Sequence, residues 1–433
     1  MRLKWLTALA LITGTTAAGA WQAQRQLAPQ PARAPGYPAV QAVFDGYVAA
    51  KKMPGIVAAI GEGDAAPSFI AAGAIGDEPG AAQANADSLW RVYSMTKPIT
   101  GMAAMMLIED GKLRLDQPIG ELIPAFKQMR VLTDPAKSLD SRPAKTPITV
   151  RHLLTHTSGL GYSIVTKGPL LKEYERLGIL PFTTNAQVEA TLAGVRPKSL
   201  AEFADRVATL PLAAEPGTVW SYSIGLDLLG RVIEVASGMR FEDFLERRMF
   251  GPLGMRSTYW TVPQSEVGRL ATAYMWAGEV RMPIDPPATS AYLKAPAFPY
   301  GGAGLVMSTR DYDRFLSMLA NEGAVGGVRV MKPETVRLGM SNLLPAGVTF
   351  SGVAENTGGT GGGGMGYGAG GSVTLRDTPG GLSKGSYGWG GAAGTKAFVD
   401  PVRKLRATVM VNYIPSEKWP VRADVIRALY APR

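Results

Sequence analysis

Beyond Trp90, Ile99, Met102, Ala103, Met106 and Leu107 recur at helical spacing, which predicts a helix buried along one apolar stripe. Gly111 stands just past the last periodic residue as a left-handed stop. Pro98 falls in the first turn, where amide groups have no intrahelical acceptor. Ser94 opens that turn, and Lys97, three residues on, shares its face. Upstream, 40–50 has helical periodicity. The runs 55–61 and 68–74 are rich in Ile, Val and Ala between Gly and Pro, and read as a strand pair leading into the Ser94 helix.

Downstream the pattern stays helical. A short helix ends near Phe126, a proline-punctuated loop covers 127–147, and Thr149 caps a helix carrying His152 and His156. Ser199 and Glu202 form a capping box, 226–236 is amphipathic and closed by Gly238, and 241–250 is a further helix. After a helix over 309–319 comes a glycine-rich run over 357–371. Strands at 397–399 and 405–411 and a closing helix over 419–430 follow. This order predicts an α+β fold: a sheet unit over 38–111 and 290–433, with a mostly helical domain inserted over 112–289.

Composition removes much chemistry. The 433 residues include no cysteine, so disulfides, thiol nucleophiles and cysteine metal sites are excluded. The only histidines, His152 and His156, share a helical face, but no glutamate lies between them and no third ligand is available. They read as hydrogen-bonding groups at a helix end, and neither metal nor cofactor is expected. Gly381-Leu-Ser383-Lys-Gly385 fits a G-x-S-x-G elbow, yet no histidine follows residue 156, so Ser383 reads as a loop serine.

The first twenty residues, 1–20, combine a basic start, a short apolar run and Ala18-Gly19-Ala20. They read as a secretory signal peptide, followed by a loose leader over 21–37, so the protein is expected to be exported, periplasmic or secreted. The apolar run is too short to span a bilayer, and no cysteine offers a lipid anchor. The formal charge of +10 falls by two when Arg2 and Lys4 leave with such a leader. The remaining basic residues are scattered rather than gathered in a stripe, which argues against nucleic-acid binding.

A serine hydroxyl becomes a nucleophile when a neighbouring base takes its proton, and a buried lysine can be that base. The helix N-terminus adds backbone N–H groups for a developing oxyanion. Ser-x-x-Lys alone is a weak motif. Here Tyr93-Ser-Met-Thr-Lys-Pro98 is followed by Leu153-Leu-Thr-His-Thr-Ser-Gly-Leu160, Leu212 to Gly230, Gly301-Gly-Ala-Gly-Leu305 and 385–395. In that order, across nearly the whole mature chain, these stretches resemble the serine β-lactamase and penicillin-binding superfamily. They are most similar to the family VIII carboxylesterases, with their class C β-lactamase-like fold.

The resemblance implies an antiparallel sheet flanked by N- and C-terminal helices. It implies Ser94 as acylated nucleophile, Lys97 as its amine partner, and Tyr222 as the tyrosine of the second box. Lys97 and Tyr222 both stand as candidates for the acylation base. It places Trp389-Gly390-Gly391 on an edge strand lining the cleft, with the N–H groups of Ser94 and Ala392 as oxyanion hole. Each such donor is typically worth ~3 kcal/mol of barrier.

Two departures bear on substrate. Trp389 stands where lactamases and D-alanyl peptidases usually carry Lys or His, and Ile224 stands where they usually carry Asn. An isoleucine cannot hydrogen-bond a substrate amide. Trp389, Gly390, Gly391 and Ile224 are therefore expected substrate contacts for an uncharged, short-chain ester. The alternatives are a β-lactamase or D-alanyl-D-alanine peptidase, a transacylase, and an inactive module that binds an acyl or peptide ligand. Asp227 is a further polar residue expected near Tyr222.

Overall fold

A computed structural model describes residues 36–352 and 364–431. The signal peptide expected over 1–20 and nearly all of the leader over 21–37 lie outside the described residues, as does part of the glycine-rich run. Seven strands form the main sheet, in the order Met365–Tyr367, Ser372–Thr374, Tyr387–Gly390, Lys396–Asp400, Leu405–Met410, Gly55–Glu62, Ser68–Gly73. Every neighbouring pair is antiparallel. The fold is α+β.

The strand Gly55–Glu62 is buried on both faces up to Gly61, which is why its sequence is a continuous apolar run without alternation. On one face, Ile56, Ala58 and Ile60 meet Val40 and Phe44 of the helix Pro38–Ala49 and Val421 and Val425 of the helix Val421–Tyr430. The helix Thr309–Ala320, capped by the Ser308 hydroxyl, packs on the other. The helices Pro38–Ala49 and Val421–Tyr430 thus close over one side of the sheet, while the functional residues gather on the other.

The helix Thr96–Glu109 departs from the stripe its periodicity predicts. Every residue from Thr96 to Leu107 is buried, because it is packed against the helices Gly225–Ser237 and Pro333–Gly339 and the strand Tyr387–Gly390. Between the two strand groups of the main sheet, 112–289 carries the helices Val150–Leu154, Gly168–Arg176, Ala186–Leu192, Leu200–Ala208, Gly225–Ser237 and Phe241–Leu245. Two small antiparallel pairs also lie there: Arg130–Leu132 with Ser141–Pro143, inside the segment expected to be loop, and Ala273–Ala277 with Val280–Asp285.

Candidate active site

The backbone entering the site is anchored first. The strand Leu89–Arg91 pairs with Val306–Ser308, and the fully buried Arg91 donates through Nε to Asp285 at 2.8 Å. Both charges are out of water, so removing either would leave the other unpaired at high cost. Tyr93 then adopts φ +43°, a conformation costly for a residue with a side chain. It opens the single turn Tyr93–Met95, from which the helix Thr96–Glu109 continues. Ser94 therefore sits on a strained turn just before the α-helix and stays partly exposed, while Lys97 is fully buried.

The Ser94 Oγ lies between two partners. The Tyr222 hydroxyl donates to it at 2.7 Å, and Lys97 Nζ donates at 3.3 Å. Lys97 also donates to the Gly302 carbonyl at 2.8 Å, and its Nζ lies 4.6 Å from the ring centre of Tyr222 and 5.5 Å from that of Tyr162. The Gly302 N–H donates to Asp227 at 2.8 Å. One glycine thus holds the lysine by its carbonyl and the carboxylate by its amide. A Cβ at Gly302 would collide with that carboxylate. Burial raises the Asp227 carboxyl to about 7, offset in part by the Lys97 charge and the Gly302 N–H. Burial, with Asp227 and Tyr222 nearby, pushes the Tyr162 phenol well above its ordinary range, so it stays neutral.

Both histidines face protein. Thr149 and His152 form a reciprocal cap on the helix Val150–Leu154. His156 Nδ1 lies 2.9 Å from the Ser223 hydroxyl, and its ring lies 4.8 Å from that of Tyr222. His156 thereby supports the turn that presents Tyr222. Burial, then the Lys97 charge, holds it well below the usual histidine range. Ser383 lies in a loop, its amide donating to Asp400 at 3.1 Å.

Three expectations need adjustment. Ile224 is fully buried in the main core, so it is not a cleft contact; an apolar side chain at the start of a packed helix gains more from the core than from an open site. Trp389 is also fully buried, with ring centres of Tyr367, Tyr222 and Phe350 at 5.1, 5.9 and 6.3 Å. Its Nε1 stands 3.5 Å from the Tyr222 hydroxyl, so it touches the tyrosine rather than facing solvent. Finally, Tyr387–Gly390 is third from the end of the sheet, not an edge strand. Pairing with Ser372–Thr374 covers only Tyr387 and Gly388, however, which leaves Trp389 and Gly390 unpaired on that side by this strand.

Beyond Gly390, a Cβ at Gly391 would collide with the Val92 carbonyl and the Thr395 hydroxyl. This close approach brings the turn with the exposed Ala392 beside the segment that carries Ser94. Tyr162 and Gly302 escaped the sequence reading. Their signal was position, Tyr162 two residues past the Leu153–Leu160 stretch and Gly302 inside Gly301–Leu305.

A helix-borne serine bonded to lysine and tyrosine, beside a strand with free backbone, defines a class, and comparison agrees. The chain belongs to the Beta-lactamase family, whose model matches residues 40–431. Acyltransferase calJ of Penicillium decumbens is 32% identical over 76% of this chain and 76% of its own. Esterase EstB of Burkholderia gladioli is 29% identical over 86% of this chain and 89% of its own. The solved structure of EstCE1, a hydrolase with promiscuous acyltransferase activity, matches at TM-score 0.74 and 26% identity, covering 91% of this chain and 98% of that one.

Proposed function

We propose that the protein is a serine hydrolase that cleaves short-chain carboxylic esters through an acyl-enzyme on Ser94. The observation that carries the reading is the Ser94 Oγ held at 2.7 Å from the Tyr222 hydroxyl and 3.3 Å from Lys97 Nζ. Ser94 Oγ attacks the ester carbonyl, and its proton passes into the Lys97–Tyr222 pair. The carbonyl oxygen, now anionic, accepts from the N–H groups of Ser94 and Ala392. Collapse expels the alcohol, which takes the proton back. Water then attacks the acyl carbon and loses its proton to the same pair, which returns it to Ser94 Oγ as the acid leaves.

The uncharged indole of Trp389, where a cation would attract a lactam carboxylate, supports an uncharged ester. Ser94→Ala, Lys97→Met and Tyr222→Phe are each expected to lower kcat/KM for p-nitrophenyl butyrate by about 10³-fold or more, with unchanged circular dichroism. Full turnover by the Lys97 variant, or cephalosporin hydrolysis faster than ester hydrolysis by the native protein, would refute the reading. Acyl transfer is a second outcome of the same intermediate, favoured by the names of calJ and EstCE1. Adding n-butanol would then yield butyl butyrate at the expense of butyrate. Residues 1–20 would direct export, giving a periplasmic or secreted chain that lacks them on N-terminal sequencing.

A further inference from the structure

The turn after the strand Tyr387–Gly390 is pinned through several of its backbone groups. The Gly394 N–H donates to the Gly391 carbonyl at 3.1 Å, and neither Ala392 nor Ala393 has a positive φ, as in a type I turn. The Gly391 N–H donates to the Thr395 carbonyl at 3.0 Å, and the Ala393 carbonyl accepts from the Tyr413 N–H at 3.1 Å. Among the described residues the Ala392 N–H has no acceptor, which leaves it available to a substrate oxygen.

The Gly391 carbonyl and the Ala392 N–H belong to one peptide group, and a planar trans peptide points them in opposite directions. The carbonyl side faces the helix Val421–Tyr430. There Arg422, in the first helical turn, donates through Nη2 to the Gly391 carbonyl. A cation in the first turn of a helix is disfavoured by the helix dipole, so this contact has a local cost to offset. The guanidinium and the expected oxyanion thus stand at opposite ends of a single peptide.

We propose that Arg422 is a positioning residue for the oxyanion hole: its guanidinium fixes the plane of the 391–392 peptide and polarises it, which aims and strengthens the Ala392 N–H. This role rests on the acyl-enzyme reading of Ser94, with Ala392 as a donor. Hydrogen bonds in series reinforce one another by roughly 10–30% per bond, and a charged donor at one end adds to that. The gain appears only as the carbonyl oxygen becomes anionic, so it belongs to kcat rather than KM. Acylation and deacylation both pass through such an oxyanion, so kcat carries the effect whichever step limits.

The test is steady-state hydrolysis of p-nitrophenyl butyrate, counted per Ser94 titratable by a fluorophosphonate. Arg422→Met is expected to lower kcat about tenfold, with KM changed by less than about twofold. Arg422→Gln, a second uncharged variant, is expected to lose kcat in the same direction. Ala392→Pro removes the N–H at a turn position that accepts proline, and is expected to lower kcat about 10²-fold. In that background Arg422→Met should cost no more than about twofold further, because the group it acts through is gone. Full kcat in both Arg422 variants, or a tenfold loss that persists beside Ala392→Pro, would overturn the role of Arg422 with the acyl-enzyme reading intact. Undiminished kcat in Ala392→Pro would overturn it together with the donor role of Ala392. Absence of any fluorophosphonate adduct on Ser94 in the native protein would instead remove the reading beneath both.

Discussion

Asp227 shows how one residue can set the chemistry of another it does not touch. Its carboxyl accepts from the Gly302 N–H while Lys97 donates to the Gly302 carbonyl, and the two charges also act on each other directly. Burial raises Asp227 to about 7, so the carboxyl titrates in the range where an esterase works. Its negative charge is present above that range and absent below it, so Asp227 acts on the site in a pH-dependent way. Asp227→Asn keeps an acceptor for the Gly302 N–H but removes the charge. The acid limb of kcat/KM for p-nitrophenyl butyrate is expected to move to lower pH in this variant; an unmoved limb would deny the coupling.

Ser94, Lys97 and Tyr222 were readable because three residues of helix put hydroxyl and amine on one face, and because ordered motifs located the tyrosine. Asp227's link was not readable, since it passes through a backbone group 75 residues away. Ile224 misled for a related reason: its chemistry was legible, but the direction of its side chain depends on packing.

At the scale of elements, the turn after the strand Tyr387–Gly390 approaches the segment before the helix Thr96–Glu109 backbone to backbone, in addition to the side chains the two share in the core. Gly391 has no room for a Cβ between the Val92 carbonyl and the Thr395 hydroxyl. Gly391→Ala must push this turn away from the Ser94 segment. It is expected to destabilise the fold by about 2 kcal/mol, read as a lower urea midpoint. It should also lower kcat more than the loss of folded protein explains, because a small displacement misplaces the oxyanion donors.

The same feature explains which strands escaped the sequence. Gly55–Glu62 and Leu405–Met410 carry apolar runs and were readable. Met365–Tyr367 and Ser372–Thr374 sit in or beside glycine-rich sequence, where missing side chains leave no periodicity to read, and Tyr387–Gly390, equally glycine-rich, was placed on a strand only by resemblance. The helix Thr96–Glu109 was read with one buried stripe rather than burial all round, because its Ala, Gly and Thr positions carry no sign of the helices packed against them.

Over the whole molecule, stability should carry the mark of its buried titratable groups. Burial lowers His152 to about 4 and holds His156 well below 6.5, the ordinary histidine value. Between about pH 6.5 and 4 these histidines therefore bind more protons in the unfolded chain than in the fold, and their contribution to stability falls as pH falls through that window. Asp227 acts the other way. With its carboxyl raised from 3.8 to about 7, the fold binds the extra proton, and its contribution declines as pH rises between those values. His152→Gln retains the Thr149 capping pattern and removes one titration. Its Tm is expected to drop less than that of the native protein between about pH 6.5 and 5.

The account rests on acylation of one hydroxyl, and rapid-quench peptide mass spectrometry during p-nitrophenyl butyrate turnover tests that most directly. The predicted result is a butyryl group on the peptide containing Ser94, present in the native protein and absent in Ser94→Ala. A butyryl group on another residue, or sustained turnover by Ser94→Ala without any acylated peptide, would contradict it.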